Sequence, residues 1–220
     1  MRHPSTPWVF PFAVFMLLLA SAPKLGLPPR ADLGLRLVLP ALAVWLFSRQ
    51  LLSRRFARAG WSIAVGAGVF ALWVAPDLLV PGWREHWLFQ NSVFGKLEAT
   101  LPPEARADQL ALALRILRAA IVVPIVEELF WRGWLMRWAI NPDFEKVPLG
   151  TYTPASFWIT ATLFALVHGP YWEVGFLAGA VYNWWMVRTK NVNDLILAHA
   201  VTNACLAAFV LITKRWEFWM

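Results

Sequence analysis

Glu127, Glu128 and Arg132 stand together in the run Val123-Pro-Ile-Val-Glu-Glu-Leu-Phe-Trp-Arg-Gly-Trp134, whose other residues are almost all apolar. A charged side chain at the centre of a membrane helix costs about 2.5–3.5 kcal/mol on insertion scales, so such groups mark function or tight pairing. Glu128 and Arg132 are four residues apart, the helical spacing at which a carboxylate and a guanidinium neutralise each other. That pair can be purely structural. Glu127 projects about 100° away from Glu128 on a helix of 3.6 residues per turn, so one carboxylate remains for another task. Pro124, about one turn earlier, removes a backbone donor, which tends to kink a helix and open a hydrated pocket beside Glu127. The plainer alternative is two acids solvated in a cavity.

Two further polar islands follow in the same half of the chain. Phe164-Ala-Leu-Val-His168 ends an apolar run at Gly169-Pro170, where the backbone must break. His199-Ala-Val-Thr-Asn203 puts an imidazole and an amide on one helix face inside the apolar run Leu195–Ile212. Each histidine alone reads more readily as interhelical glue than as chemistry. Together with the carboxylate pair, imidazoles in a water-poor site are the groups that general acid–base hydrolysis requires. Glu127 lies ten residues from Arg137 and His199 nine from Lys190. At 1.5 Å per residue both would sit about 15 Å deep from one side. His168, about 22 residues beyond Lys146, matches that depth only if its helix is tilted or begins late.

The elements that must hold these groups are apolar runs at about 8–22, 33–48, 60–80, 110–140, 154–168, 173–187 and 194–213. The chain of 220 residues is 59% hydrophobic and 15% charged, against about 45–50% and about 25% in soluble domains. A soluble core of this size cannot absorb that excess. The runs approach the roughly 20 residues that cross about 30 Å of hydrocarbon, and 15 Trp supply rings of the kind enriched at bilayer interfaces. They are too long and lack the alternation of a membrane barrel. The expected fold is therefore all-α, a polytopic membrane helical bundle of about seven or eight transmembrane helices. Residues 1–103 would be N-terminal transmembrane helices and 104–220 the catalytic core of one integral membrane unit. Residues 8–22, preceded by a single Arg, read as a retained first span rather than a cleaved signal.

The net charge of +7 is spread between apolar segments, which points to membrane lipids as partners and to no nucleic acid. Arg49, Arg54, Arg55 and Arg58 form the most basic connection, which the positive-inside rule puts in the cytoplasm together with the N-terminus. Arg137–Lys146 and Arg188–Lys190 then fall inside as well, and Lys24, Arg30, Lys214 and Arg215 outside. Cys205 is the only cysteine, so no intramolecular disulfide forms.

Glu127-Glu128-x-x-x-Arg132, Phe164-x-x-x-His168 and His199-x-x-x-Asn203 resemble, in order, the three motifs of the CAAX-protease and bacteriocin-processing family of intramembrane proteases. The resemblance covers roughly residues 104–213. Within the family the chain looks like the CAAX prenyl protease-related proteins associated with exosortase systems, which implies a bacterial inner membrane. The resemblance implies an endopeptidase in which Glu127 activates water and His168 polarises it or shuttles its proton. His199 and Asn203 would hydrogen-bond the oxyanion, Glu128 and Arg132 would brace the site, and Phe164 would pack beneath it. The substrate would be a peptide or membrane protein, cut near the C-terminus of a lipidated or membrane-bound chain. No cofactor is expected; the alternative is zinc held by Glu127, His168 and His199 with one open position. Against zinc, the chain has no His-Glu-x-x-His helix. Rival readings are a noncatalytic scaffold or ligand-binding member of the same family and, with less support, a transporter, for which internal repeats are missing.

Overall fold

A computed structural model describes residues 3–53 and 55–219; Arg54 of the basic connection and Arg2 lie outside them. The described residues form seven main helices: α1 (Thr6–Ser21), α2 (Pro29–Leu51), α3 (Ala59–Leu79), α4 (Gln109–Trp138), α5 (Pro154–Leu166), α6 (Trp172–Thr189) and α7 (Val192–Thr213). No strand occurs among them; Asn91 and Gly95 make one isolated bridge. The long run at 110–140 is a single 30-residue helix rather than two.

Four helices, α2, α3, α4 and α7, are long and apolar enough to cross a membrane. α1 and α5, with 16 and 13 residues, reach about 24 and 20 Å at 1.5 Å per residue. Large apolar side chains face outward along the bundle, among them Leu17, Ile63, Leu79 and Ile212. A lipid-facing surface has no reason to hide such groups.

Local chemistry sets the helix starts. Asp108 caps α4 by accepting from Leu110 N and Ala111 N at 3.0 and 3.3 Å. Thr153 caps α5 ahead of Pro154, and Asn191 caps α7 by accepting from Asn193 N at 2.9 Å. Each side-chain oxygen satisfies amides that the first helical turn leaves open.

The helices alternate in direction, so the connections gather at two ends. At the basic end, Asp194 accepts from Ala57 N and Arg58 N at 2.6 and 2.8 Å, Asn191 donates to the Arg55 carbonyl, and Trp134 Nε1 donates to Ser5. Five exposed tryptophans, Trp45, Trp61, Trp138, Trp158 and Trp184, ring this end, as expected of an interfacial belt. At the opposite end the long α3–α4 connection folds over the helix tips. There Arg84, almost fully buried, binds Asp77 and Glu173 at 2.6 Å each and lies 4.1 Å over the Tyr171 ring.

Two expectations about charge need correction. Arg84, Arg115, Arg118, Arg132 and Arg137 are all buried, so the basic surplus is not confined to juxtamembrane connections. Arg137, taken as a surface marker for depth, instead donates to the carbonyls of Gly133 and Val147 and stacks 4.7 Å over Trp8. A guanidinium can leave water when carbonyls and ring faces replace its hydration.

Candidate active site

α4 is not a regular helix where it matters. Val123 N reaches back five residues to the Arg118 carbonyl, making Arg118–Val122 a widened, π-type turn. In that register the next donor would be the amide of Pro124, which has none, and the carbonyl left without it is that of Ala119. Asn203 on α7 fills the gap: its Nδ2 donates to Ala119 O at 2.8 Å. One of the two amide hydrogens of Asn203 therefore supports the backbone that carries Glu127, and the other remains for the cavity. A second wide turn, Leu129–Leu135, follows the acid pair. Such turns recur at functional sites.

Glu128 and Arg132 are fully buried and form an ion pair, with Nη1 at 3.1 and 3.2 Å from the two carboxylate oxygens. Arg132 Nε donates to Asn183 Oδ1 at 2.8 Å and Nη2 to the Gly179 carbonyl at 3.2 Å, while the guanidinium lies 4.5 Å from the Phe164 ring centre. Glu128 Oε1 also stands 2.8 Å from His199 Nδ1. A carboxylate paired with a guanidinium accepts, so His199 Nδ1 carries the hydrogen and Nε2 is left for the cavity. His168 resolves in the same way: its Nδ1 is 2.6 Å from the Phe164 carbonyl, which can only accept, so Nε2 is again the open nitrogen.

Glu127 has no such partners. It is buried, and its Oε2 has no hydrogen-bond partner among the described residues. Glu127, His168, His199 and Asn203 all line one cavity of about 380 Å³, in the size range of ligand pockets. His168 reaches it because α5 begins late, at Pro154, and ends at Leu166 before the turn through Gly169, whose φ of +52° suits glycine. The Phe164 ring sits 4.5 Å from that of His168 and 6.2 Å from that of His199, beneath both.

The first helices also wall the cavity: Phe15 and Leu19 of α1 and Trp73 of α3 line it. Trp73 packs edge-on to His168 at 5.3 Å.

Several contributors escaped the reading of the sequence. Tyr182 stacks on His199 at 5.1 Å and donates to Thr202 Oγ1 at 2.7 Å, and Thr202 donates to the Gly66 carbonyl at 2.8 Å. Asn183 holds Arg132 and donates to the Phe157 carbonyl at 2.7 Å. Tyr182-Asn183, a polar pair in the middle of an apolar run, was the available signal. Arg115 and Arg118, in the cavity wall nine and six residues before Pro124, or roughly two turns on a helix of 3.6 residues per turn, were equally visible as charges within an apolar run.

Among the described residues, no three His, Cys, Asp or Glu side chains are grouped closely enough to hold a metal ion. Glu127, His168 and His199 share a cavity without forming a ligand cluster as they stand.

A helical bundle suited to a membrane thus places an acid, two imidazoles and an amide around one cavity. A scan of protein families matches residues 109–205 to the family described as type II CAAX prenyl endopeptidase Rce1-like, so through those residues the chain is similar to that family. That similarity supports a peptidase of the CAAX endopeptidase kind. No curated protein and no solved structure matches it.

Proposed function

We propose that the chain is a metal-free intramembrane endopeptidase in which Glu127 is the general base. The observation that carries this reading is the asymmetry of the acid pair: Glu128 is consumed by Arg132 and His199, whereas Glu127 offers an unpartnered oxygen to the cavity. A water held between Glu127 and the His168 Nε2 lone pair gives its proton to Glu127 as its oxygen attacks the peptide carbonyl carbon. The tetrahedral oxyanion is met by the second amide N–H of Asn203 and by His199. Because Nδ1–H of His199 already faces Glu128, its Nε2 donates to the oxyanion only when that nitrogen carries a hydrogen as well. Collapse breaks the C–N bond, and the proton on Glu127 passes to the departing amine.

The reading implies a peptide or membrane-protein substrate cut near the C-terminus of a lipidated or membrane-bound chain, at a bacterial inner membrane. The family description makes a prenylated chain the first substrate to try. The test compares protein termini, by mass spectrometry, in membranes of cells expressing the wild type or Glu127→Ala at matched levels. New termini confined to the wild type are the expected result. Indistinguishable termini would make the chain a noncatalytic scaffold. Reversible loss of activity on chelation, with stoichiometric zinc in the purified protein, would overturn the metal-free form of the mechanism.

A further inference from the structure

The α3–α4 connection, which precedes the matched family region, grips the turn that carries His168. Arg84, 3% exposed, is the centre of the grip. Its Nε and Nη2 donate to the two carboxylate oxygens of Asp77 at 3.2 and 2.6 Å. Its Nη1 donates to Glu173 Oε2 at 2.7 Å and to the Pro170 carbonyl at 2.6 Å. Pro170 stands two residues beyond His168, and Glu173 lies in the first turn of α6. Around this contact Trp83 Nε1 donates to Glu173 at 3.2 Å, Trp172 Nε1 donates to the Leu88 carbonyl at 3.0 Å, and Phe94 stacks on Trp172 at 5.6 Å. Residues 83–94 are thus strapped across residues 170–173.

His168 needs such support. It has left α5, which ends at Leu166, and its own main chain makes two bonds: His168 N donates to the Ala165 carbonyl, and the His168 carbonyl accepts from Tyr171 N. Pro170 has no donor to add. A second path to His168 runs through rings. The Arg84 guanidinium lies 4.1 Å from the Tyr171 ring centre, Tyr171 stacks on Trp73 at 5.9 Å, and Trp73 meets the His168 imidazole edge-on at 5.3 Å. A buried ion pair is often no more stabilising than well-packed apolar side chains of similar volume, so stability alone does not call for this cluster. A fully satisfied buried polar network instead enforces one arrangement of the elements it joins.

We propose that Arg84 is a positioning residue for His168, acting through the Pro170 carbonyl and the Tyr171–Trp73 stack, and that residues 83–94 are the strap that sets where this imidazole stands in the cavity. The consequence for cleavage rests on the peptidase reading; the positioning does not.

The test uses the full-length chain in phosphatidylcholine nanodiscs, with histidine isotopically labelled at its ring nitrogens and read by NMR. His168→Gln and His199→Gln assign the two cavity imidazoles. Arg84→Gln should shift or broaden the His168 ring signals and leave those of His199 in place, and Arg84→Lys should return them partway. Because Arg84→Gln strands Asp77, the double variant Asp77→Asn, Arg84→Gln gives the same readout if the single one unfolds. With a fluorescent farnesylated CAAX peptide, kcat should fall about 10²-fold at an unchanged KM, the loss expected when a catalytic group is misplaced by about 1 Å. Unmoved His168 signals would overturn the proposal. So would His168 and His199 signals that move together, which would make the cluster a general brace of the bundle. Full kcat in Arg84→Gln sinks the positioning role and leaves the peptidase; shifted His168 signals in a protein that generates no new termini do the reverse.

Discussion

Glu128 and Arg132 are charges that the bundle tolerates only as a pair. Removing one partner of a buried ion pair typically costs about 3–5 kcal/mol, because the other charge is stranded. Glu128→Gln should therefore lower the unfolding temperature in detergent and, through His199, the rate of cleavage. Adding Arg132→Met should restore much of the stability and none of the activity. Recovery of both would mean that the pair braces the fold and leaves His199 unaffected. Asn203 has two duties that mutation can separate. As an oxyanion donor its loss should cost about 10²–10³ in kcat, and as the partner of Ala119 it supports a carbonyl that Pro124 cannot serve. In a Pro124→Ala background the main chain regains that donor. If Asn203→Ala still loses at least a hundredfold there, the catalytic duty stands; a loss below threefold would leave only backbone support.

Helices approach closely where small residues allow it. α6 carries Gly175 and Gly179, four residues apart, against Ala161 and Ala165 of α5; a Cβ on Gly179 would come within 3.2 Å of Ala161 and Phe164. This small-x-x-x-small contact brings the Gly179 carbonyl to Arg132. α3 and α7 meet still more tightly, since a Cβ on Gly66 would clash with the Ala198 carbonyl, one residue from His199. Gly66→Ala should cost about 1–3 kcal/mol through overpacking and displace His199. Thermal unfolding and activity should fall together, and a variant of wild-type stability and rate would show that α3 shifts without strain. Neither contact was legible in the sequence as a contact, because a glycine advertises permissiveness and not its neighbour.

For the whole molecule, the alternation of seven helices puts the basic connection and the α3–α4 connection at opposite ends, which makes orientation testable. In a Cys205→Ser background, a cysteine at exposed Val93 should react with a membrane-impermeant thiol reagent in intact spheroplasts, and one at exposed Arg55 only after lysis. The reverse pattern would invert the orientation drawn from the positive-inside rule. The molecule also explains a contribution that the first hundred residues hid: Phe15, Leu19 and Trp73 wall the cavity, so the helices before the matched family region are part of the site.

The class of fold was legible in the amino-acid order, because apolar runs of that length without strand alternation are stable in a membrane as helices that satisfy their own backbone. That order also singled out Glu127, Glu128, Arg132, His168, His199 and Asn203, since polar groups in such runs are too costly to be incidental. It assigned the ion pair to Glu128 and Arg132 from helical spacing alone, and the structure has that pair. The remaining features depend on neighbours distant in the chain. His168 reaches the cavity because α5 starts late, Arg137 is buried because Trp8 and Phe144 cover it, and the Ala119 carbonyl is served by an amide 84 residues away. Periodicity reports which face of a helix a group occupies; whether that group finds a partner is a property of the packed bundle.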